Sequence, residues 1–214
     1  MFDGPFAESM LFKAQHKKLI KIELIDLRKF GIGPRKTVDD TPYGGGGGMV
    51  LRPEPIAAAV VQAKQSNSAA KVVLLAPSGQ QFVQALASQL SRESGLILIC
   101  GRYEGVDERV TSLVDLELSI GDYVLTGGEI PAMAVVDAVS RLIPGVLGGA
   151  ASAEVESFSD GHTLEYPQYT KPEDWNGLKV PPVLLSGHHA EVAEWRQAQA
   201  LKKTASRRAG RTSK

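Results

Sequence analysis

Cysteine is nearly absent. Cys100 is the only one in 214 residues, which excludes an intramolecular disulfide framework. No apolar run approaches the ~18 residues that a helical membrane span requires. The opening segment, MFDGPFAESM, has neither the basic nor the long apolar region of a secretory leader. The expectation is a soluble, cytoplasmic protein with no membrane partner. Net charge is also missing, 24 basic against 24 acidic residues, which argues against an obligate nucleic-acid coat protein. Four histidines and one cysteine provide no zinc spacing, so no metal ligands are assigned. There is no GxSxG elbow, and hydrolysis through a covalent intermediate is poorly supported. A GxGxxG fingerprint is lacking too, which weakens a nucleotide-binding oxidoreductase reading. The pentaglycine Gly44–Gly48 does not follow the GxxxxGK[ST] order of a phosphate loop and reads as a surface loop.

What is present is an ordinary globular core, 43% of residues being hydrophobic, with charge unevenly spread. From Trp195 to Lys214 there are seven basic residues and no acidic one. Between Lys13 and Lys36 only Glu23 and Asp26 oppose the bases. Such runs are either solvated faces or phosphate-contacting patches.

Leu19 to Leu27 alternates as a strand does, and a turn follows from Lys29 to Arg35. Pro53 to Lys64 reads as a helix with proline near its start. Lys71–Ala76 is an apolar strand ended by Pro77-Ser78-Gly79. Phe82 to Arg92 has helical spacing, with Phe82, Val83, Leu86 and Leu90 on one face. Leu96–Cys100 is the next buried strand, Val106–Leu113 a short helix, and Ala132–Leu142 a longer one. Apolar strands alternating with helices predict an α/β fold with a parallel sheet covered on both faces. Gly148 to Ala153 has linker composition and puts a domain boundary between 148 and 160. A loop from Tyr166 to Pro182 and a helix from Ala190 to Lys203 follow.

Two glycine-punctuated loops lie beside the apolar elements, at Gly101–Gly105 and Ser119–Pro131. Main chain can approach a ligand closely at both, which predicts a small-molecule site assembled from backbone. Asp39-Asp40, before the pentaglycine, can accept from a base edge or cap a turn. Cys100, at a strand end, reads as core. His188-His189 reads as a surface pair, and Arg141, taken alone, as a helix-surface ion pair.

Seven ordered motifs carry a family. VDDTPYGGGGGM (Val38 to Met49), LAPSG (Leu75 to Gly79), ICGRYEGVDERV (Ile99 to Val110) and SIGDYVLTGGEIPAM (Ser119 to Met133) are followed by RLIPGVLG (Arg141 to Gly148). EYPQYTKP (Glu165 to Pro172) and VPPVLLSGHHAEV (Val180 to Val192) complete the set. Together they resemble the bacterial tRNA (guanine-N1)-methyltransferases that modify guanosine 37, beside the anticodon, and the resemblance covers nearly the whole chain.

That resemblance implies a parallel α/β domain over residues 1–148, flanked by helices, with a deep trefoil knot forming the cofactor site. Sheet chemistry alone favours an unknotted doubly wound fold. It further implies a linker at 149–160 and a small, mainly helical tRNA-binding domain at 161–214. A homodimer with its active site between subunits is expected, using S-adenosyl-L-methionine, with Mg2+ as a further candidate and the tRNA anticodon region as partner. By motif, Pro77, Gly101, Tyr103, Glu104, Ile120, Gly121, Asp122, Tyr123, Val124, Leu125, Gly127, Gly128 and Pro131 match the cofactor-holding wall. Asp39, Tyr103, Arg141 and Leu147 match the guanine- and tRNA-binding set, with Arg141 stabilising the guanine in catalysis. The general base of the family is an aspartate before Ser-Phe; here Glu156 precedes Ser157-Phe158, with Glu154 and Asp160 as alternatives. Glutamate has similar acidity but reaches about 1 Å further. Relatives begin with an apolar strand about ten residues upstream, so the first family strand and part of the C-terminal helix are expected to be missing here. A tRNA-binding relative of impaired activity is the alternative reading.

Overall fold

The structure is a computed structural model that describes residues 1–148 and 156–212. Contacts divide the chain into two compact units, Met1–Gly148 and Gly149–Lys214. Most of the expected linker, including Glu154, lies outside the described residues.

The first unit begins with two short helices, α1 (Asp3–Phe6) and α2 (Ser9–His16), and a pair of two-residue strands, β1 (Asp39–Asp40) and β2 (Val50–Leu51). Then come α3 (Pro53–Ser66), β3 (Lys71–Gln81), α4 (Gln84–Leu90), β4 (Leu96–Cys100), β5 (Leu116–Ser119) and α5 (Glu129–Ser140). Strand β3 lies between β4 and β5, all parallel, with Leu75 opposite Cys100 on one side and Leu118 on the other.

Alternation along β3 divides the core. Val73 and Leu75 pack with Leu86, Leu90, Val135 and Val139 of α4 and α5. Val72 and Leu74 face the other way, onto Ile56 and Val60 of α3 and Val110. Helices therefore cover both faces, as expected for an α/β sheet of apolar parallel strands. At the sheet's entry the Asp115 carboxylate accepts from Val72 N–H (2.7 Å), while Asp115 N–H donates back to Val72 C=O (2.9 Å).

Several elements differ from their sequence expectation. Leu19 to Leu27 is not a strand: Ile20, Ile22 and Ile25 are half-buried between exposed neighbours, yet no ladder forms among the described residues. Alternation without a hydrogen-bonding neighbour yields extended chain, not sheet. Asp26 ends it by accepting from Arg28 N–H (2.9 Å) at a 3-10 turn, Leu27–Phe30. Strand β3 does not stop at Pro77 but continues to Gln81 through a bulge. Leu118 is paired with both Leu75 and Gln80, so Ala76–Gly79 bows out of the ladder, where proline needs no N–H. Val83 is the extended, half-exposed N-cap of α4 and not part of its buried face. The expected helix at Val106–Leu113 is a 3-10 helix, Glu108–Leu113, started by Asp107. Helix α5 begins at Glu129, before Pro131, because a first-turn residue has no N–H acceptor to lose.

In the second unit the Tyr166–Pro182 segment holds a hairpin, β6 (Asp174–Trp175) with β7 (Leu178–Lys179). Its turn is Asn176-Gly177, both at positive φ, the strongest short hairpin signal in the segment. Helix α6 (His189–Thr212) outruns the expected Ala190–Lys203, its Ala, Lys and Arg content favouring continuation. Two of its bases are not simply solvated. The Arg196 guanidinium lies 4.8 Å from the Tyr166 ring centre, and that of Arg207 4.6 Å from Phe158. Thr204 is buried; its hydroxyl accepts from Leu164 N–H (2.9 Å) and donates to Ala200 C=O (2.7 Å), tying α6 to the preceding loop.

The bulge sets a sharp test. A Cβ on Gly79 would overlap the backbone of Glu117 and Leu118, whereas one on Gly101 meets nothing nearer than 3.8 Å. Gly79→Ala is expected to lower stability by about 1–3 kcal/mol, the usual range for overpacking. Gly101→Ala should stay within about 0.5 kcal/mol, as for an unobstructed surface change. Urea unfolding of the two variants checks this, and equal midpoints would contradict it.

Candidate active site

The C-terminal ends of β3, β4 and β5 open into one cavity of about 260 Å3. Three chain segments wall it: the β3 bulge at Ala76-Pro77, the turn Gly101–Val106 after β4, and the loop from Ser119 to Pro131 after β5. Parallel α/β sheets place ligands at this end, where strand order reverses. Here the sequence leaves β3 at the centre, β4 on one side and β5 on the other, so the three following segments must converge.

Glycine makes the convergence tight. Gly128 N–H donates to Gly101 C=O (2.8 Å), and Arg102 pairs with Gly127 in an antiparallel bridge. A Cβ on Gly128 would lie 2.7 Å from Cys100 Cα. One on Gly127 would lie 2.5 Å from a Glu129 oxygen and 3.0 Å from Arg102 Nε. Those two side chains form an ion pair, Arg102 Nε donating to Glu129 Oε1 at 2.7 Å. Gly121, at φ +152°, would strike the Tyr123 ring if it carried a Cβ.

Of the residues matched to a cofactor wall, Pro77, Gly101, Tyr103, Glu104, Ile120, Gly121, Tyr123, Val124, Leu125, Gly127, Gly128 and Pro131 all line this cavity; Asp122 does not. The residue-by-residue match omits Arg102, Gly105 and Ser119, although the two glycine-punctuated loops read from the sequence contain them, and Val106, just past the first loop, also lines the cavity. Arg102 stands next to two residues that were named, but nothing in its spacing shows the ion pair with Glu129, 27 positions on.

The guanine-binding set is more dispersed. Tyr103 lines the cavity, whereas Asp39, Arg141 and Leu147 do not. Asp39 is half-buried in β1 opposite Leu51, Arg141 caps the C-terminus of α5, and Leu147 is half-buried seven residues beyond that helix. Beside them, Asp40 receives Arg52 (3.1 Å), which also holds Glu54 (3.2 Å). The pentaglycine is exposed, and its last member, Gly48, abuts the Glu104 side chain.

Glu156 lies in the second unit, where it lines a separate cavity of about 390 Å3 with Asp160, Thr163, Glu165, Tyr166 and Arg196. Asp160 accepts from His162 N–H (2.9 Å), Thr163 N–H (2.7 Å) and the Thr163 hydroxyl. These donors, the hydroxyl first, hold its carboxyl well below the usual carboxylate range, which makes it a weak base near neutrality. Among the described residues no three His, Cys, Asp or Glu side chains gather as metal ligands, and no helix is long and apolar enough to cross a membrane.

The sequence model of the family described as "tRNA (Guanine-1)-methyltransferase TrmD" matches residues 1–214. Among similar proteins, the tRNA (guanine-N(1)-)-methyltransferase of Dictyoglomus turgidum is 59% identical over 204 residues, covering 95% of this chain and 82% of its own. That of Geobacter sp. (strain M21) is 56% identical over 207 residues, with the same coverage. The Geobacillus kaustophilus protein is 53% identical over 209 residues, covering 97% and 85%.

Burial, reinforced by the nearby Glu129 charge, pushes the Cys100 thiol up to about 12. At pH 8 it is a neutral thiol and a poor nucleophile. The folded protein should therefore resist iodoacetamide at pH 8 and label only once unfolded in urea. Stoichiometric labelling of the native protein at that pH, read by mass spectrometry, would contradict the burial.

Proposed function

The chain belongs to the tRNA (guanine-1)-methyltransferase family, and on that premise we propose that it methylates N1 of guanosine 37 in tRNA. The observation that carries the reading is the cavity at the sheet's C-terminal end, where twelve of the thirteen residues matched to a methyl-donor wall meet. S-adenosyl-L-methionine, when bound, supplies an electrophilic methyl group on sulfonium. The lining fits such a donor. Ile120, Val124 and Leu125 offer an apolar surface for a heterocycle, and the glycine segments offer main-chain N–H and C=O groups for its edge. We read the three converging segments as the trefoil knot of the family.

Transfer to guanine N1 requires three further tasks: seating the base, removing the N1 proton, and stabilising charge that develops on O6. Asp39 reads the base edge, Arg141 meets the developing charge, and Leu147 packs beside the nucleotide. Tyr103, on the cavity wall, stands between donor and base. Glu156 of the partner subunit accepts the proton in a homodimer whose site is shared. The three donors that hold Asp160 make it the weaker candidate for that role. Mg2+, which binds through one or two carboxylates together with waters and substrate oxygens, stays a candidate assistant, and no step is routed through it. The aromatic-clasped bases of α6 suit the unit from 161 to 214 to gripping the anticodon region of tRNA. Action in the cytoplasm, where tRNA is matured, follows from this substrate.

Transfer of labelled methyl from S-adenosylmethionine to unmodified tRNA, mapped to N1 of guanosine 37, tests the function; binding without transfer would overturn it. Glu156→Gln is expected to lower kcat by about two to four orders of magnitude, the scale for losing a general base, with donor Kd unchanged. Glu156→Asp should retain activity. If Gln at 156 is harmless while Asp160→Asn removes turnover without loss of stability, the assignment of the base is wrong.

The cavity assignment has its own test. A Cβ at Gly101 would meet no backbone atom nearer than 3.9 Å, so Gly101→Leu is expected to fold, which its Tm checks before titration. Its side chain would occupy the donor space and lower S-adenosylmethionine affinity at least about 100-fold, as expected when a ligand pocket is filled. A folded variant with wild-type affinity would place the donor elsewhere.

A further inference from the structure

We propose that Arg102 receives the carboxylate of the donor's amino-acid tail, and that Glu129 is the positioning residue that holds it there. The proposal rests on the reading of this cavity as the donor site. Arg102 is the only lysine or arginine among the lining residues. A carboxylate leaves water only where a cation or several N–H donors receive it, so an aminoacyl ligand in this space has Arg102 as its side-chain cation.

The ion pair leaves the right part of Arg102 available. Its Nε is committed to Glu129 Oε1 at 2.7 Å, and among the described residues no second carboxylate forms an ion pair with it. The two terminal amino groups remain, and together they present the parallel N–H donors that match a carboxylate. Exposure runs the same way: the Glu129 side chain is 15% exposed and that of Arg102 41%. The anchor is thus deep and the arm faces open space. The absence of a Cβ at residue 127 leaves room for the Glu129 carboxylate in this position, since one there would lie 2.5 Å from its oxygen.

Charge balance supports the same orientation. Within the cavity, Arg102 and Glu104 of the lining together with Glu129, the ion-pair partner of Arg102, sum to one net negative charge. A donor with sulfonium, ammonium and carboxylate carries one net positive charge. Seating the carboxylate on Arg102 leaves Glu104 to face the cationic part, with no like charges forced together.

Calorimetric titration of the full-length protein with three probes separates the possibilities: S-adenosylmethionine, its decarboxylated form, and 5′-methylthioadenosine, which lacks the tail. Arg102→Gln should weaken S-adenosylmethionine about 10- to 100-fold, the worth of a charge-assisted pair. Affinity for the two probes without a carboxylate should change by less than about threefold. Arg102→Lys should recover part of the loss, and Glu129→Gln should weaken S-adenosylmethionine alone. Equal weakening of all three probes would reduce the pair to a structural role and overturn the proposal. So would unchanged donor affinity, including the case in which KM for tRNA rises and its salt dependence flattens, the mark of a phosphate contact. Gly101→Leu is the control for the underlying reading. If it leaves all three probes unaffected, the cavity is not the donor site, whereas loss of all three with no Arg102 effect refutes the arginine alone.

Discussion

Close approach of main chain to main chain, possible only where side chains are absent, is the constraint on which this structure depends. The β3 bulge can fold back on β5 because Gly79 presents no Cβ to Leu118. The loop entering α5 can seat on the end of β4 because Gly128 presents none to Cys100. Hydrogen bonds then lock what the glycines permit, as between Gly128 N–H and Gly101 C=O. The cavity is the space that remains between three segments held so near one another. Its walls are fixed by backbone geometry and carry few polar side chains.

The apolar sheet provides the rigid base for that arrangement. Val72 to Leu75 send alternate side chains into the two core layers, so neither face of β3 can move without loss of packing. Loops that begin at the ends of such strands inherit their position. The Arg102–Glu129 pair adds a charged strut between the turn after β4 and the start of α5. Glutamate in the first turn of a helix is also well placed against the helix dipole.

The second unit shows different chemistry. Its order comes from aromatic rings under guanidinium groups, from Thr204 and from Asp160 at the centre of a turn. Asp160 illustrates how surroundings decide a carboxylate's use. Three donors keep it ionised and reluctant to accept a proton.

Much of this was legible in the chain itself. Apolar runs such as Lys71–Ala76 and Leu96–Cys100 reveal buried parallel strands because a strand covered on both faces has no polar side to show. Gly101, Gly121, Gly127 and Gly128 mark the two segments where backbone packs closely at the ends of apolar strands, and both segments line the cavity. The family membership was legible as well, because its motifs are long and ordered. Other features were decided only by tertiary structure. Leu19–Leu27 alternates as a strand should, but a ladder needs a neighbour, and alternation does not say whether one is present. Lys71–Ala76 extends through Pro77 because the bulge releases that residue from pairing, which is a property of β5 and not of Pro77. The ion pair between Arg102 and Glu129 joins residues far apart in sequence, and only the parallel order of β4, β3 and β5 brings them within 2.7 Å. Local pattern determines which segments are apolar, turning or bare; the partner of each is settled by packing.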